Sequence, residues 1–152
     1  MLVRITVIGS PAPQGSKRAW VNKHTGKAVM IEQAKSIRPW REAVKLAAFD
    51  VFEKCGICRG ALRVEMAFTL KALKKPGGRQ YPDRPPDLSK LVRGVEDALT
   101  DSGIWEDDAR VVLLMASKVY VGAPDALPVP GVSIVIDEMV RSESASGHGT
   151  AE

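Results

Sequence analysis

The chain has 152 residues, 45% of them apolar and 26% charged, with a formal net charge of +4. That length supports a single domain with its own core and requires neither disulfides nor a structural metal. No apolar run is long enough to cross a bilayer, and the opening MLVRITVIGS reads as a strand rather than a secretion signal, so a cytoplasmic protein without a membrane partner is expected.

Val3, Ile5 and Val7 alternate with Arg4 and Thr6, which predicts a strand over 2–8. GSPAPQGSKRA interrupts regular structure, and AWVNKHTGKAVMI (19–31) predicts a hairpin turning at His24-Thr25-Gly26. From Ser36 to Lys54 the period becomes helical, with Trp40, Val44, Ala47, Ala48, Val51 and Cys55 on one face. Leu46, Phe49 and Phe52 widen that face, so this helix is expected either to be central or to meet a second subunit. Its end carries the CGIC pair, Cys55 and Cys58. A zinc site needs a second ligand pair, which the isolated His24 and His148 do not supply. A thioredoxin-type pair would open a helix rather than close one, so two reduced cysteines are expected.

ALRVEMAFTL (61–70) alternates cleanly and predicts a strand with one wet face. KKPGGRQYPDRPP follows as a basic loop. A second helix is predicted from Leu88 to Thr100, burying Leu88, Leu91, Val92, Val95 and Leu99 and stopping at Asp101-Ser102-Gly103. Strands are expected at about 110–121 and 132–139, and the apolar-poor tail RSESASGHGTAE is expected to be disordered. The order β, hairpin, α, β, α, β, β predicts an α+β fold: one domain over 1–140, with a small mixed β-sheet and two main helices, and a tail over 141–152.

Charge is unevenly spread. Residues 71–93 hold seven Lys/Arg against Asp83 and Asp87, whereas residues 94–108 hold six carboxylates and no base. IWEDDARVV sets Glu106, Asp107 and Asp108 in a row. Such a run is either a solvated loop or a place where a cation is expected. Basic flanks around carboxylates suit a polyanion delivered to a metal, because Lys/Arg neutralise phosphates while carboxylates hold the cation. Asp87, directly before the second helix, suits an N-cap. If the following strand runs back beside the helix, it could also bring Asp108 towards Asp87.

PDLSKLVRGVEDALTDSGIWEDDARVV (86–112) resembles the core motif of the RusA-type Holliday junction resolvases. In that pattern an Asp-x-Asp segment opens a helix and a basic residue lies one turn on. Asp-Ala-Leu, an aromatic turn and Asp-Asp before a strand then follow. PAPQGSKR and the element order resemble phage-type members over about 1–140. The resemblance implies a homodimeric, intertwined or symmetric, Mg²⁺-dependent endonuclease acting on branched DNA and nicking four-way junctions in pairs, with Mn²⁺ as an alternative ion. By position it implies catalytic roles for Asp87, Arg93, Asp107 and Asp108. It implies metal ligation by Asp87, Asp108 and, ranked lower, Asp107. Ser89 departs from the pattern by replacing its second aspartate. Glu96, seven residues on and nearly on the same helical face, either supplies the missing carboxylate or pairs with Arg93. Without that carboxylate the chain would bind junctions but cut them poorly. Lys17, Arg18, Lys74, Lys75, Arg79 and Lys90 are candidate phosphate contacts. Trp40 and Trp105 are expected in the core, while Trp20 could stack on bases.

Overall fold

A computed structural model describes residues 1–15, 17–21, 28–32, 36–75 and 77–140, the strands at 17–21 and 28–32 by backbone alone. The strands are β1 (Leu2–Ile8), β2 (Lys17–Val21), β3 (Ala28–Glu32), β4 (Leu62–Leu70), β5 (Val111–Tyr120) and β6 (Gly131–Glu138). The helices are α1 (Ile37–Cys55) and α2 (Leu88–Ser102), and a 3-10 turn, Asp108–Arg110, leads into β5. The expected α+β order holds, with α2 two residues longer than predicted. The turn of the β2–β3 hairpin at His24-Thr25-Gly26, Trp20's side chain and the tail at 141–152 lie outside the described residues.

One four-stranded sheet, in the order β1-β6-β4-β5, carries the fold. β6 is antiparallel to both β1 and β4, and β5 is parallel to β4, so the sheet is mixed. A parallel pair needs a crossover, and α2 supplies it. The alternation read from the sequence decides which face is covered. Val3, Ile5 and Val7 of β1, Val64, Met66 and Phe68 of β4, and Val132, Ile134 and Ile136 of β6 are all buried under the two helices. Arg63 and Glu65 pair with each other on the open face. Ile37, Trp40, Val44 and Ala48 of α1 and Leu91, Val95, Ala98 and Leu99 of α2 complete the core.

Two expectations for α1 fare differently. Leu46 and Phe49 are exposed, so the widened apolar face is real and faces outwards. Cys55, expected on the buried stripe, is exposed because it is the last helical residue, where the chain turns away through Gly56. Cys58 is the buried cysteine, its amide donating to Ile104 O at 2.7 Å. Trp40 and Trp105 are core residues, as expected. Among the described residues no helix is long and apolar enough to cross a membrane.

Candidate active site

Helix α2 is positioned by a close approach. Gly94 faces the segment after β1, where an added Cβ would lie 3.2 Å from Ile37 Cδ1 and 3.5 Å from the Ala12 carbonyl oxygen. The gap lets Gln14 N donate to Lys90 O at 3.0 Å, tying the Pro-Ala-Pro-Gln stretch to the first turn of α2. At the other end Gly103 adopts φ +83°, a left-handed conformation that glycine takes without a Cβ penalty, and its amide caps Thr100 O. Ile104 and Trp105 then plunge into the core, and Trp105 Nε1 donates to Thr100 Oγ1 at 2.7 Å.

Immediately after these anchors the chain emerges as Glu106-Asp107-Asp108, all exposed. Asp107 caps the 3-10 turn by accepting from Ala109 N at 2.7 Å, and Arg110 pairs with Glu106 at 2.6 Å. The bond from Ala109 N, with a hydrogen bond shared with Asp108, holds the Asp107 carboxyl below its ordinary range. Asp108 moves up, first through the proton shared with Asp107, then through partial desolvation and the charges of Asp107 and Asp97. Glu96, half-buried on α2, is raised by burial and by the charges of Asp108 and Asp97, with Arg93 opposing. Glu96, Asp97, Asp107 and Asp108 therefore form one electrostatic neighbourhood.

A groove of about 430 Å³ runs between α2 and β5, lined by Leu88, Ser89, Val92, Arg93 and Glu96 from the helix and Leu114 and Ala116 from the strand. Ser89, Arg93 and Glu96, related by helical spacing in the sequence, thus share one wall. No ion pair within 4 Å joins Arg93 to Glu96 among the described residues, so the surface pairing considered for Glu96 is absent. The guanidinium acts on that carboxylate only at longer range.

Asp87 stands elsewhere. It occupies the N-cap position, but its carbonyl, not its carboxylate, accepts from Lys90 N and Leu91 N, both at 3.1 Å. The carboxylate instead lies 3.7 Å from Lys90 Nζ. β5 does run back beside α2, as the sequence suggested, but it brings its far end to Asp87. Lys118 Nζ donates to Pro86 O at 2.8 Å and to Arg84 O at 2.9 Å. Asp87 is nine residues, or about 13 Å of helical rise, from Glu96, beside which Asp108 sits. Within one chain the two aspartates flank opposite ends of the groove. The expected return of Asp108 to Asp87 does not occur, because a strand antiparallel to the helix starts at the helix's C-terminal end.

Of the candidate phosphate contacts, Lys74 and Lys75 are exposed in the loop before α2, and Arg79 is held by Asp83 at 3.2 Å. The side chains of Lys17 and Arg18 lie outside the described residues. Sequence reasoning overlooked two residues that shape the candidate site. Lys118 ties down the loop before Asp87, and the only signal was a lone cation in an apolar strand. Asp97 adds its charge to both raised carboxyls, a role its neighbour Glu96 obscured.

The donor set is all oxygen and mutually repelling, which fits a hard divalent cation and not a thiophilic one. Among the described residues no group of three or more His, Cys, Asp or Glu side chains converges to hold a metal ion. One or two carboxylates with retained water is the coordination Mg²⁺ commonly accepts. Of the CGIC pair, Cys55 is exposed, and burial, with Glu138 nearby, pushes the Cys58 thiol up to about 11.

A mixed sheet whose α2–β5 groove carries Arg93 and Glu96 on one wall, with Asp108 acting on Glu96 from beside it, is a build suited to phosphodiester chemistry on nucleic acid. Residues 10–129 match the family described as Endodeoxyribonuclease RusA, and the chain belongs to that family of DNA endonucleases. It is also similar to the uncharacterized protein YqaN of Bacillus subtilis (strain 168), at 30% identity over 133 residues covering 80% of this chain and 90% of the relative.

Proposed function

We propose that this protein is a Mg²⁺-dependent, structure-selective endonuclease that resolves four-way DNA junctions by paired nicks. It acts as a homodimer in the cytoplasm, in recombination and repair. The observation that carries the reading is the α2–β5 groove of a RusA-family chain, where Ser89, Arg93 and Glu96 share a wall next to a second raised carboxyl, Asp108.

Glu96 and Asp108, with Asp107 beside them and Asp87 at the far end, are the residues that would hold the ion. When bound, Mg²⁺ supplies charge neutralisation at the phosphate and acidification of water. Arg93, exposed on the groove wall, steadies the negative charge that develops on the phosphate oxygens. Lys74 and Lys75 guide the backbone in, and that attraction weakens with salt. Burial raises Glu96 and the hydrogen bond shared with Asp107 raises Asp108, with neighbouring carboxylates adding to both; a bound cation would favour the ionised forms, so the metal and the ionised site form together.

A second reading is a junction-binding protein with impaired cleavage. It rests on Ser89, whose hydroxyl stands on the groove wall where the family pattern has a carboxylate. A labelled four-way junction incubated with protein and Mg²⁺, beside an EDTA control, separates the two. Paired nicks that EDTA abolishes support the endonuclease, whereas a retarded but uncut junction supports the binding protein.

A further inference from the structure

A cavity of about 660 Å³, larger than the α2–β5 groove, lies between the basic loop after β4 and the turn after β5. Its walls carry Leu73, Arg79, Gln80 and Tyr81 on the loop side and Tyr120 and Asp125 on the other. Pockets that hold ligands commonly measure about 300–1,000 Å³. The chain has two tyrosines, and both stand here. Each wall is fixed by its own hydrogen bonds. Pro82 is buried and Asp83 N donates to Tyr81 O at 2.9 Å, which pins the chain where Tyr81 is displayed. Opposite, Val121 N donates to Leu70 O at 2.9 Å. Ala123 N donates to Tyr120 O at 3.1 Å, closing a turn in which Gly122 takes φ +97°. Despite these supports Tyr81 leaves 65% of its surface in water, and no other ring meets it among the described residues.

Strand β5 joins this cavity to the groove. Its register with β4 sets Leu114, Ala116, Lys118 and Tyr120 beside Val64, Met66, Phe68 and Leu70, so the four share one face. Leu114 and Ala116 line the groove, and Tyr120 lines the cavity. Ala116 and Tyr120 are separated by about 13 Å of strand. Between them Lys118 holds the Pro86 and Arg84 carbonyls next to Asp87. A DNA strand lying along the groove is thereby led past Asp87 to the cavity. The loop also attracts it: residues 71–86 carry Lys71, Lys74, Lys75, Arg79 and Arg84 against Asp83 alone.

We infer that this cavity receives one unpaired base of the branched DNA, stacked on Tyr81, while the loop cations hold the flanking phosphates. This rests on the nuclease reading above and deepens it by naming the part of the substrate that is gripped. An exposed aromatic face beside cations is what an unstacked nucleotide binds, whatever its sequence. The Gln80 amide and the Asp125 carboxylate supply hydrogen-bonding groups for the base edge. A base inside a duplex stays stacked and cannot enter, whereas one at a branch is cheaply extruded. Capture there would also set the register of the strand, because the base is fixed at one end of a track whose other end holds Glu96 and Asp108.

The test compares three fluorescein-labelled DNAs: a forked duplex with one single-stranded arm, the fully paired duplex, and the fork with abasic sites in its arm. Binding to the full chain is read by anisotropy in EDTA, so that no cutting intervenes. The wild type should prefer the fork to the duplex by about tenfold, the effect of one stacked base. Abasic sites and Tyr81→Ala should each remove that preference, and together they should remove no more. Tyr81→Phe should keep it, and Ala72→Trp, which fills the cavity, should lose it. Tyr81 is exposed, so circular dichroism of its variants should match the wild type. With iodouracil in the arm, irradiation should cross-link the DNA to a peptide containing Tyr81 or Tyr120. Equal affinity for fork and duplex overturns the inference even if the wild type cuts junctions. A fork preference that survives Tyr81→Ala overturns it too, as do losses from Tyr81→Ala and abasic sites that multiply. Tyr81-dependent binding of free dAMP without any fork preference would make the cavity a mononucleotide site and overturn it as well. If the expected pattern holds in a protein that cuts nothing, the nuclease reading fails and the base pocket stands.

Discussion

Lys118 Nζ reaches the carbonyl of Pro86 at 2.8 Å and that of Arg84 at 2.9 Å, fastening the end of β5 to the loop that delivers Asp87. The ammonium satisfies two backbone acceptors that no other described group reaches. Hydrogen bonds from a charged donor are worth about 1.5–3 kcal/mol each where partly buried. Lys118→Met keeps the stem and loses both. Urea denaturation should show a loss of about 2 kcal/mol, and junction cleavage should fall more than junction binding because Asp87 is no longer held. Unchanged stability with unchanged cleavage would show that the loop needs no tether.

Asp87→Asn and Asp108→Asn should each abolish cleavage while leaving junction affinity equal or higher, since a carboxylate facing phosphate is removed. Neither carboxylate caps a helix or sits in the core, so circular dichroism should match the wild type. Gel-shift and cleavage assays on the same preparations check this. Loss of fold in both variants would give the two residues a structural role instead.

Glu96 and Ser89 share the groove wall, so their substitutions should be coupled. Glu96→Gln should reduce cleavage about as much as Asp87→Asn. Ser89→Asp in the Glu96→Gln background should restore part of the activity, because a carboxylate returns to the same wall. An active Glu96→Gln enzyme with an unchanged Mg²⁺ dependence would remove Glu96 from the site.

The raised Glu96 and Asp108 carboxyls define a pH dependence. Raised folded values mean that the folded state holds its protons longer than the unfolded chain. The contribution to stability is therefore greatest below the ordinary carboxylate range and is lost as pH rises through the raised values. At neutral pH, Glu96→Gln should raise the melting temperature, and the gain should vanish as pH falls below about 4.5, the unshifted Glu value. Mg²⁺ should raise the wild-type melting temperature at neutral pH, by about 2.7 kcal/mol of stability at a hundredfold excess over Kd, and less in Glu96→Gln. A melting temperature insensitive to Mg²⁺ at millimolar concentration would argue against a cation in the groove.

The two cysteines should differ in reactivity. Native protein treated with iodoacetamide at pH 8 should be alkylated at exposed Cys55, while Cys58, buried and pushed up to about 11, should react only after unfolding. Mass spectrometry of peptides reads both. Equal labelling would mean that the loop after α1 opens readily.

Much of this was legible because it depends on periodicity. The stripe Leu91-Val95-Leu99 and the Gly103 stop mark α2 on local grounds alone, and the seven-residue spacing already put Ser89 and Glu96 on one wall. What could not be read was any relation set by the crossover. Nothing local in VVLLMASKVY says that β5 lies parallel to β4 at the sheet's edge, and that placement separates Asp87 from Asp108. Cys55 was misjudged for a related reason. A helical wheel continues its stripe to the last residue, whereas the core under α1 ends a turn earlier, at Val51 and Phe52.

The acidic turn hangs between two fixtures. Ile104 and Trp105 are sunk in the core on one side, and on the other the ladder with β4 takes up the chain at Val111. Three carboxylates can therefore stand side by side without threatening the fold, because their repulsion works on a span of five residues whose ends cannot move. Trp105→Ala should remove about 3–5 kcal/mol, whereas replacements between Glu106 and Arg110 should shift the melting curve far less, most of all at the Asp107 cap. Such a span is mechanically insulated from the domain that carries it. Mutation can retune its charge, its ion and its pH response without re-solving the problem of how to fold.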